Sequence, residues 1–174
     1  MKNILIVFVV GFFLLSGCSH TIVEDLNLQE KEQAKDFSLK IVKTYFDKDC
    51  NTYVKYLAET LYDLSDKRDP MSKSTITKNK KDFCDEFERE IVRGEYSIED
   101  YLESYNIRLL DKSMYEAEFP HLSNLTEFKP TANDYLFLGN EAKRNSEHFM
   151  WDDFLIFMVS NTDEGWKISA YWDD

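Results

Sequence analysis

Glycine and proline are scarce, with 5 and 3 in 174 residues, which argues against a linker, a low-complexity tail or a collagen-like repeat. No pattern recurs at a fixed period, so a solenoid or propeller is not indicated. No apolar run reaches the ~20 residues that a membrane-spanning helix needs; the longest, Ile4 to Leu15, is broken only by Gly11. Positive charge is in deficit, at 21 Lys plus Arg against 33 Asp plus Glu. A phosphate backbone calls for a basic footprint, so nucleic acid is a poor partner for this chain. The motifs of common chemistries are missing as well: there is no Gly-x-Ser-x-Gly elbow, no Walker or dinucleotide glycine pattern and no His-Glu-x-x-His. His20, His121 and His148 stand isolated, which leaves neither a zinc site nor any cofactor with support.

What is present begins with an address. Lys2 supplies a positive start, the apolar stretch follows, and Leu14-Leu15-Ser16-Gly17-Cys18 closes it. A stretch of this length reads as a cleaved signal rather than a membrane span. The closing residues resemble the lipobox of bacterial lipoproteins: an aliphatic residue, a small residue, a glycine and then the cysteine that receives a diacylglyceryl group. The resemblance implies cleavage before Cys18, lipid on its sulfur, and acylation of the freed amine. Residues 1–17 are then a signal peptide and 18–26 a lipidated cysteine with a short tether. Two or three acyl chains hold a domain at a membrane surface without spanning it. Ser19 is not the aspartate associated with inner-membrane retention. The expected location is therefore the outer membrane facing the periplasm in a two-membrane cell, or the outer face of the cytoplasmic membrane otherwise.

Residues 27–174 are expected to form a single domain, since a chain of this size can bury one core. Removing residues 1–17 takes away one cation, Lys2, and leaves 20 Lys plus Arg against 33 Asp plus Glu. That balance favours solubility and opposes a peripheral grip on anionic lipid, which makes the covalent anchor more necessary. The one basic stretch, Lys73 to Lys81, is short and followed by acidic residues.

Cys50 and Cys84 remain once Cys18 is lipidated, in a domain sent out of the reducing cytoplasm. Their natural reading is a disulfide worth about 3 to 4 kcal/mol through loop closure; the alternative is two buried free thiols. Neither has a neighbouring motif that points to a catalytic thiol.

Periodicity then sets out the elements. Ala34, Phe37, Ile41, Val42, Tyr45 and Phe46 predict a helix ending near Asp49. Val54, Leu57, Ala58, Leu61 and Leu64 predict a second, broken by Asp66 to Pro70. Met71 to Lys81 reads as a polar loop, and Phe83, Phe87 and Ile91 as a third helix closed by Gly94. Ser97 with Asp100 caps a short fourth. Beyond Tyr105 the period becomes alternating. Strands are expected at Tyr105 to Leu109, at Tyr115 to Phe119 after a turn at Asp111 to Ser113, and at Tyr135 to Leu138 before Gly139-Asn140. The long strand Phe149 to Ser160 is apolar on both faces, and a turn at Asn161 to Gly165 returns it as Trp166, Ile168, Ala170 and Trp172 on one face.

Helices first and a meander afterwards predict an α+β fold, with N-terminal helices packed on a curved antiparallel sheet. With its long closing hairpin, the order resembles the cone of the nuclear transport factor 2-like superfamily. That resemblance implies a space between helices and sheet, used for ligand binding, for carboxylate chemistry in a minority of members, or as an interaction surface. Fold alone does not choose among these.

The candidate binding residues are Trp151, Asp153, Trp166, Tyr171 and Trp172, an aromatic group around one acid. With the turn centred near Asp163, Asp152 and Asp153 are expected opposite Asp174 and Asp173. Solvated hairpin ends are the first reading of these four carboxylates, with a bridging cation or a catalytic acid as alternatives. The chain therefore reads as a lipid-anchored envelope protein that binds a partner protein or a small apolar ligand without catalysis. The alternative is an isomerase- or hydrolase-like enzyme using a carboxylate in the aromatic pocket.

Overall fold

The computed structural model describes residues 27–65, 69–90, 97–120, 126–142 and 155–172. The chain divides between Gln33 and Ala34 into two compact units. Of the first, the described residues 27–33 are helical.

Helix α1 runs over 27–46 and, within the second unit, buries Ala34, Phe37, Ile41 and Val42 at the predicted spacing. It stops where Lys48 takes a left-handed backbone, φ 56°, and the Asp49 amide reaches back five residues to the Thr44 carbonyl at 3.0 Å, a closure that satisfies a terminal carbonyl. Asp49 then caps α2, Cys50–Tyr56, by accepting from the Thr52 amide.

Here the first departure from the sequence reading appears. The expected second helix ends after two turns, and Leu57–Asp63 is a strand, β1. Val54, Leu57, Leu61 and Leu64 are all buried, but Leu57 and Leu61 are buried on a strand and Leu64 just beyond its end, not on a helical face. A run of apolar residues this short satisfies both periods, and tertiary pairing decided between them. The expected loop also differs: Met71–Ser72 forms β2 and Lys73–Lys78 forms α3. Ser72 caps α3 by accepting from the Thr75 amide at 3.2 Å, and Ile76 anchors the helix at 2% exposure. One apolar residue in a polar stretch carries too little periodicity to be seen.

Helix α4, Lys80–Glu90, presents Phe83 and Phe87 to the core as expected; Ile91 and Gly94 lie outside the described residues. Helix α5, Ile98–Ser104, opens on the complete Ser97 and Asp100 capping box. Strand β3, Tyr105–Leu110, follows. The next segment overturns another expectation, because Lys112–Glu118 is a helix, α6, and not a strand. Asp111 accepts from the Met114 amide at 3.0 Å and the Ser113 hydroxyl at 2.7 Å, making a helix cap of the predicted turn. Tyr115 and Phe119 are four residues apart, a helical step that also fits alternation.

Strands β4, Asp134–Ala142, β5, Leu155–Thr162, and β6, Gly165–Tyr171, complete an open six-stranded sheet in the order β2-β1-β6-β5-β4-β3. The sheet is mixed: β1 runs parallel to β6, and the other pairings are antiparallel. With helices packed against it, the architecture is α+β. Strand β4 continues through Gly139, where the sequence reading ended it. The part of the predicted long strand before Leu155 lies outside the described residues.

Both faces of the sheet are covered. The first core lies on the face of α1, α2, α4 and α5 and includes Phe37, Tyr101, Phe137, Phe157 and Val159. The second, on the other face, gathers Leu110, Tyr115, Phe128, Leu136 and Met158 under α6 and the segment at Phe128. Strands β4 and β5 therefore send alternate residues into different cores, as their two apolar faces require.

Candidate functional site

Three of the five candidate binding residues, Trp166, Tyr171 and Trp172, are described; Trp151 and Asp153 lie outside the described residues, as do Asp152, Asp173 and Asp174. Alternation predicts Trp166, Ile168, Ala170 and Trp172 on one face. The structure separates them. The pairing of β5 with β6 slips by one residue, from Val159 opposite Ile168 to Met158 opposite Ala170. A one-residue bulge moves everything beyond it to the other face. Trp166 thus packs beside the first core, 5.9 Å from the Tyr135 ring, while Trp172 packs beside the second. Ser169, the extra residue, is buried and accepts a hydrogen bond from the Ser160 hydroxyl.

The end of β6 gathers groups that the sequence does not place together. Tyr171 sits between Phe157 of β5 and Asp63 of β1 in the sheet register, and its carbonyl accepts from the Leu64 amide at 2.8 Å. The Trp172 amide donates to the Ile156 carbonyl at 3.0 Å. Asp63 is 5% exposed. Its Oδ1 accepts from the Ser65 amide at 2.8 Å and the Ser65 hydroxyl at 2.6 Å, and the Thr126 hydroxyl donates to the Asp63 carbonyl. The signal for this residue was Asp-Leu-Ser at the end of an apolar run, the spacing of a side chain that closes its own turn. Read as a helix terminus, it gave no reason to expect a buried acid.

Asp134, the other buried acid among the described residues, does similar work. Its Oδ2 accepts from the Thr131 amide and, at 2.8 Å, from the Thr131 hydroxyl, bracing the entry to β4. A general base needs a lone pair turned toward a reacting proton; the hydrogen bonds above turn Asp63 Oδ1 and Asp134 Oδ2 toward their own loops. Among the described residues no group of three or more His, Cys, Asp or Glu is placed to hold a metal ion.

Tyr115 is the remaining buried polar group of interest. It is 1% exposed, and its hydroxyl has no hydrogen-bond partner among the described residues. Burial, and then the Glu116 carboxylate beside it, push the phenol above its ordinary value of 10.0. The unfolded phenol ionises first, so Tyr115 adds no pH dependence to stability below pH ~10, and stability falls as pH rises from there through the higher folded value. Tyr115→Phe removes a desolvated hydroxyl with no partner to lose. It should raise stability by about 1 kcal/mol at neutral pH, and the gain over wild type should widen above pH ~10. Urea unfolding of both proteins at pH 7 and at about pH 10.5 checks this; a destabilised variant would mean that the hydroxyl is bonded.

Cys50 and Cys84 form the expected disulfide, with Cα atoms 5.5 Å apart. Cys18 lies outside the described residues. Among the described residues no helix is long and apolar enough to cross a membrane. The chain matches no protein-family model, no curated protein and no solved structure.

Proposed function

We propose that this chain is a lipid-anchored cell-envelope protein whose α+β domain serves as a non-catalytic module for binding or assembly. The location rests on Leu14 to Cys18. In this reading the membrane is reached through lipid on Cys18, at the outer membrane of a two-membrane cell or the outer face of a single one. The helices ahead of β1 and the closing hairpin of β5 with β6 support the resemblance to the nuclear transport factor 2-like superfamily.

The mode of action rests on one observation: among the described residues, the chain's own aromatic rings pack against one another between helices and sheet. Phe137 stacks on Phe157 at 4.6 Å, Tyr101 on Tyr105 at 5.0 Å, and Phe46 meets Tyr101 at 5.2 Å. Phe37 meets Tyr56 edge-on at 5.1 Å. Such pairs are favourable beyond the area they bury, and opening a substrate cavity among them would sacrifice those contacts. Partner contact through the outside of the domain requires no such sacrifice.

Native mass spectrometry of the mature protein released from its own membranes, with and without reductant, tests this reading. A lipid-sized mass on Cys18 with a second polypeptide supports an assembly role. A copurified small molecule supports ligand binding, and turnover of that molecule lost in Asp153→Asn would overturn the non-catalytic assignment. A mature chain without lipid on Cys18 would overturn the location.

A further inference from the structure

Between Ser72 and Lys81 the chain carries four lysines, Lys73, Lys78, Lys80 and Lys81, and no acid. In a chain with 33 Asp plus Glu against 21 Lys plus Arg, these ten residues are a basic island. Folding places them on α3 and the first turn of α4, two helices that meet at Asn79. Lys78 and Lys81 are exposed, and Lys73 and Lys80 half-buried. Among the described residues, Lys43, Arg108, Lys112 and Lys167 are cations of surface ion pairs, and none of the four island lysines makes an ion pair.

Helix formation does not explain this placement. Lys78 suits the negative end of α3, but Lys80 and Lys81 open α4, where the helix dipole disfavours cations. A local rule broken without a gain in pairing is a mark of use elsewhere. The second observation is Met71, two residues before Lys73 and 39% exposed. It is one of three exposed large hydrophobic side chains among the described residues, with Leu28 and Met114.

We propose that Met71, α3 and the start of α4 form a face that docks on an anionic lipid bilayer, with Met71 entering the headgroup boundary and the four lysines meeting lipid phosphates. Lysine is a flexible point charge without the planar fork that grips one phosphate, so a spread of four fits a diffuse surface better than a single bound anion. An exposed thioether among them adds apolar contact, which a lipid boundary accepts and a nucleic-acid backbone does not. Asp82 and Asp85, on the first two turns of α4, lie within a Debye length of ~8 Å and lower the charge of the face, but the four lysines outnumber them, and acids farther away are screened at physiological salt.

The test uses the full chain carrying Cys18→Ser, so the outcome is independent of lipidation. Cosedimentation is measured with vesicles of phosphatidylcholine, and with vesicles half of whose lipid is phosphatidylglycerol. The apolar residues 4–15 contribute to both and drop out of the comparison. At about 20 mM salt, binding to the anionic vesicles should exceed binding to the neutral ones by about tenfold or more, and the excess should vanish at about 500 mM. Replacing all four lysines with glutamine should abolish the excess, replacing them with arginine should retain it, and Met71→Ser should lower it severalfold. Equal binding to the two vesicle types, or an unchanged excess in the glutamine variant, would overturn the proposal. Equally tight binding to duplex DNA would overturn the lipid assignment by making the face a general polyanion site.

Discussion

Gly139→Ala should destabilise the protein by about 3 kcal/mol, a large effect for one methyl group. Gly139 lies within β4, opposite Leu155, and its carbonyl accepts a hydrogen bond from the Tyr101 hydroxyl at 2.7 Å. A Cβ on Gly139 would stand 1.7 Å from that oxygen, 2.9 Å from the Tyr101 Cζ and 3.1 Å from the Phe137 Cε1. Tyr101 is 2% exposed, with Phe46 and Tyr105 against its ring, so it has little room to retreat. The strand or the tyrosine must shift, and the hydrogen bond is lost either way. Tyr101→Phe identifies the cause. Alone it should cost about 1 kcal/mol for the lost bond, and in its presence Gly139→Ala should cost at least about 1 kcal/mol less than in wild type. Urea unfolding of the four proteins measures the coupling, and additive costs would exonerate the tyrosine.

Reducing the Cys50–Cys84 bond should cost about 3 to 4 kcal/mol, and Cys50→Ala with Cys84→Ala should cost the same. The two cysteines are 34 residues apart, and in the chain-entropy account a loop of that length confines the unfolded ensemble by this amount. The native helices have other reasons to stay together. Tyr53 of α2 packs on Phe87 of α4 at 4.8 Å, and Tyr45 of α1 meets Phe87 edge-on at 5.5 Å. The reduced protein should therefore keep its far-ultraviolet circular dichroism while its melting midpoint falls by about 10 °C. A shift below about 2 °C would show that the bond confines little, and loss of the spectrum would show that α2 and α4 depend on it to fold. The closed loop holds β1, β2 and α3.

The residues differ in how much of this they announce. Long periodic segments and complete local motifs were legible. Helix α1 buries the residues its spacing selects, Ser97 and Asp100 make the capping box their spacing predicts, and β5 splits its side chains between two faces. Short segments were not. Leu57 to Leu64 and Tyr115 to Phe119 satisfy a helical and an alternating pattern alike, and the choice was made by neighbours far along the chain. The first pairs with β2 and β6 and becomes a strand; the second accepts the Asp111 cap and becomes a helix. The candidate site was legible as residue types but not as an arrangement. Trp166 and Trp172 look like one face until the slip at Ser169, a single residue without side-chain periodicity, sends them to different cores. Asp63 passed unnoticed because its burial depends on Thr126 and β6, which are distant in sequence.

Composition and local pattern by themselves determined the acidic balance, the α+β class, the Ser97 and Asp100 capping box, the doubly apolar hairpin strand and the two cysteines available to pair. Each is a property of neighbours within a turn or two, where spacing alone decides the energetics. Tertiary structure decided the parallel contact of β1 with β6, the helix at α6, the bulge, the acid buried at Asp63 and the lysines near Met71 that make no ion pair among the described residues. Those depend on which distant groups meet, and a local period carries no record of a partner tens of residues away.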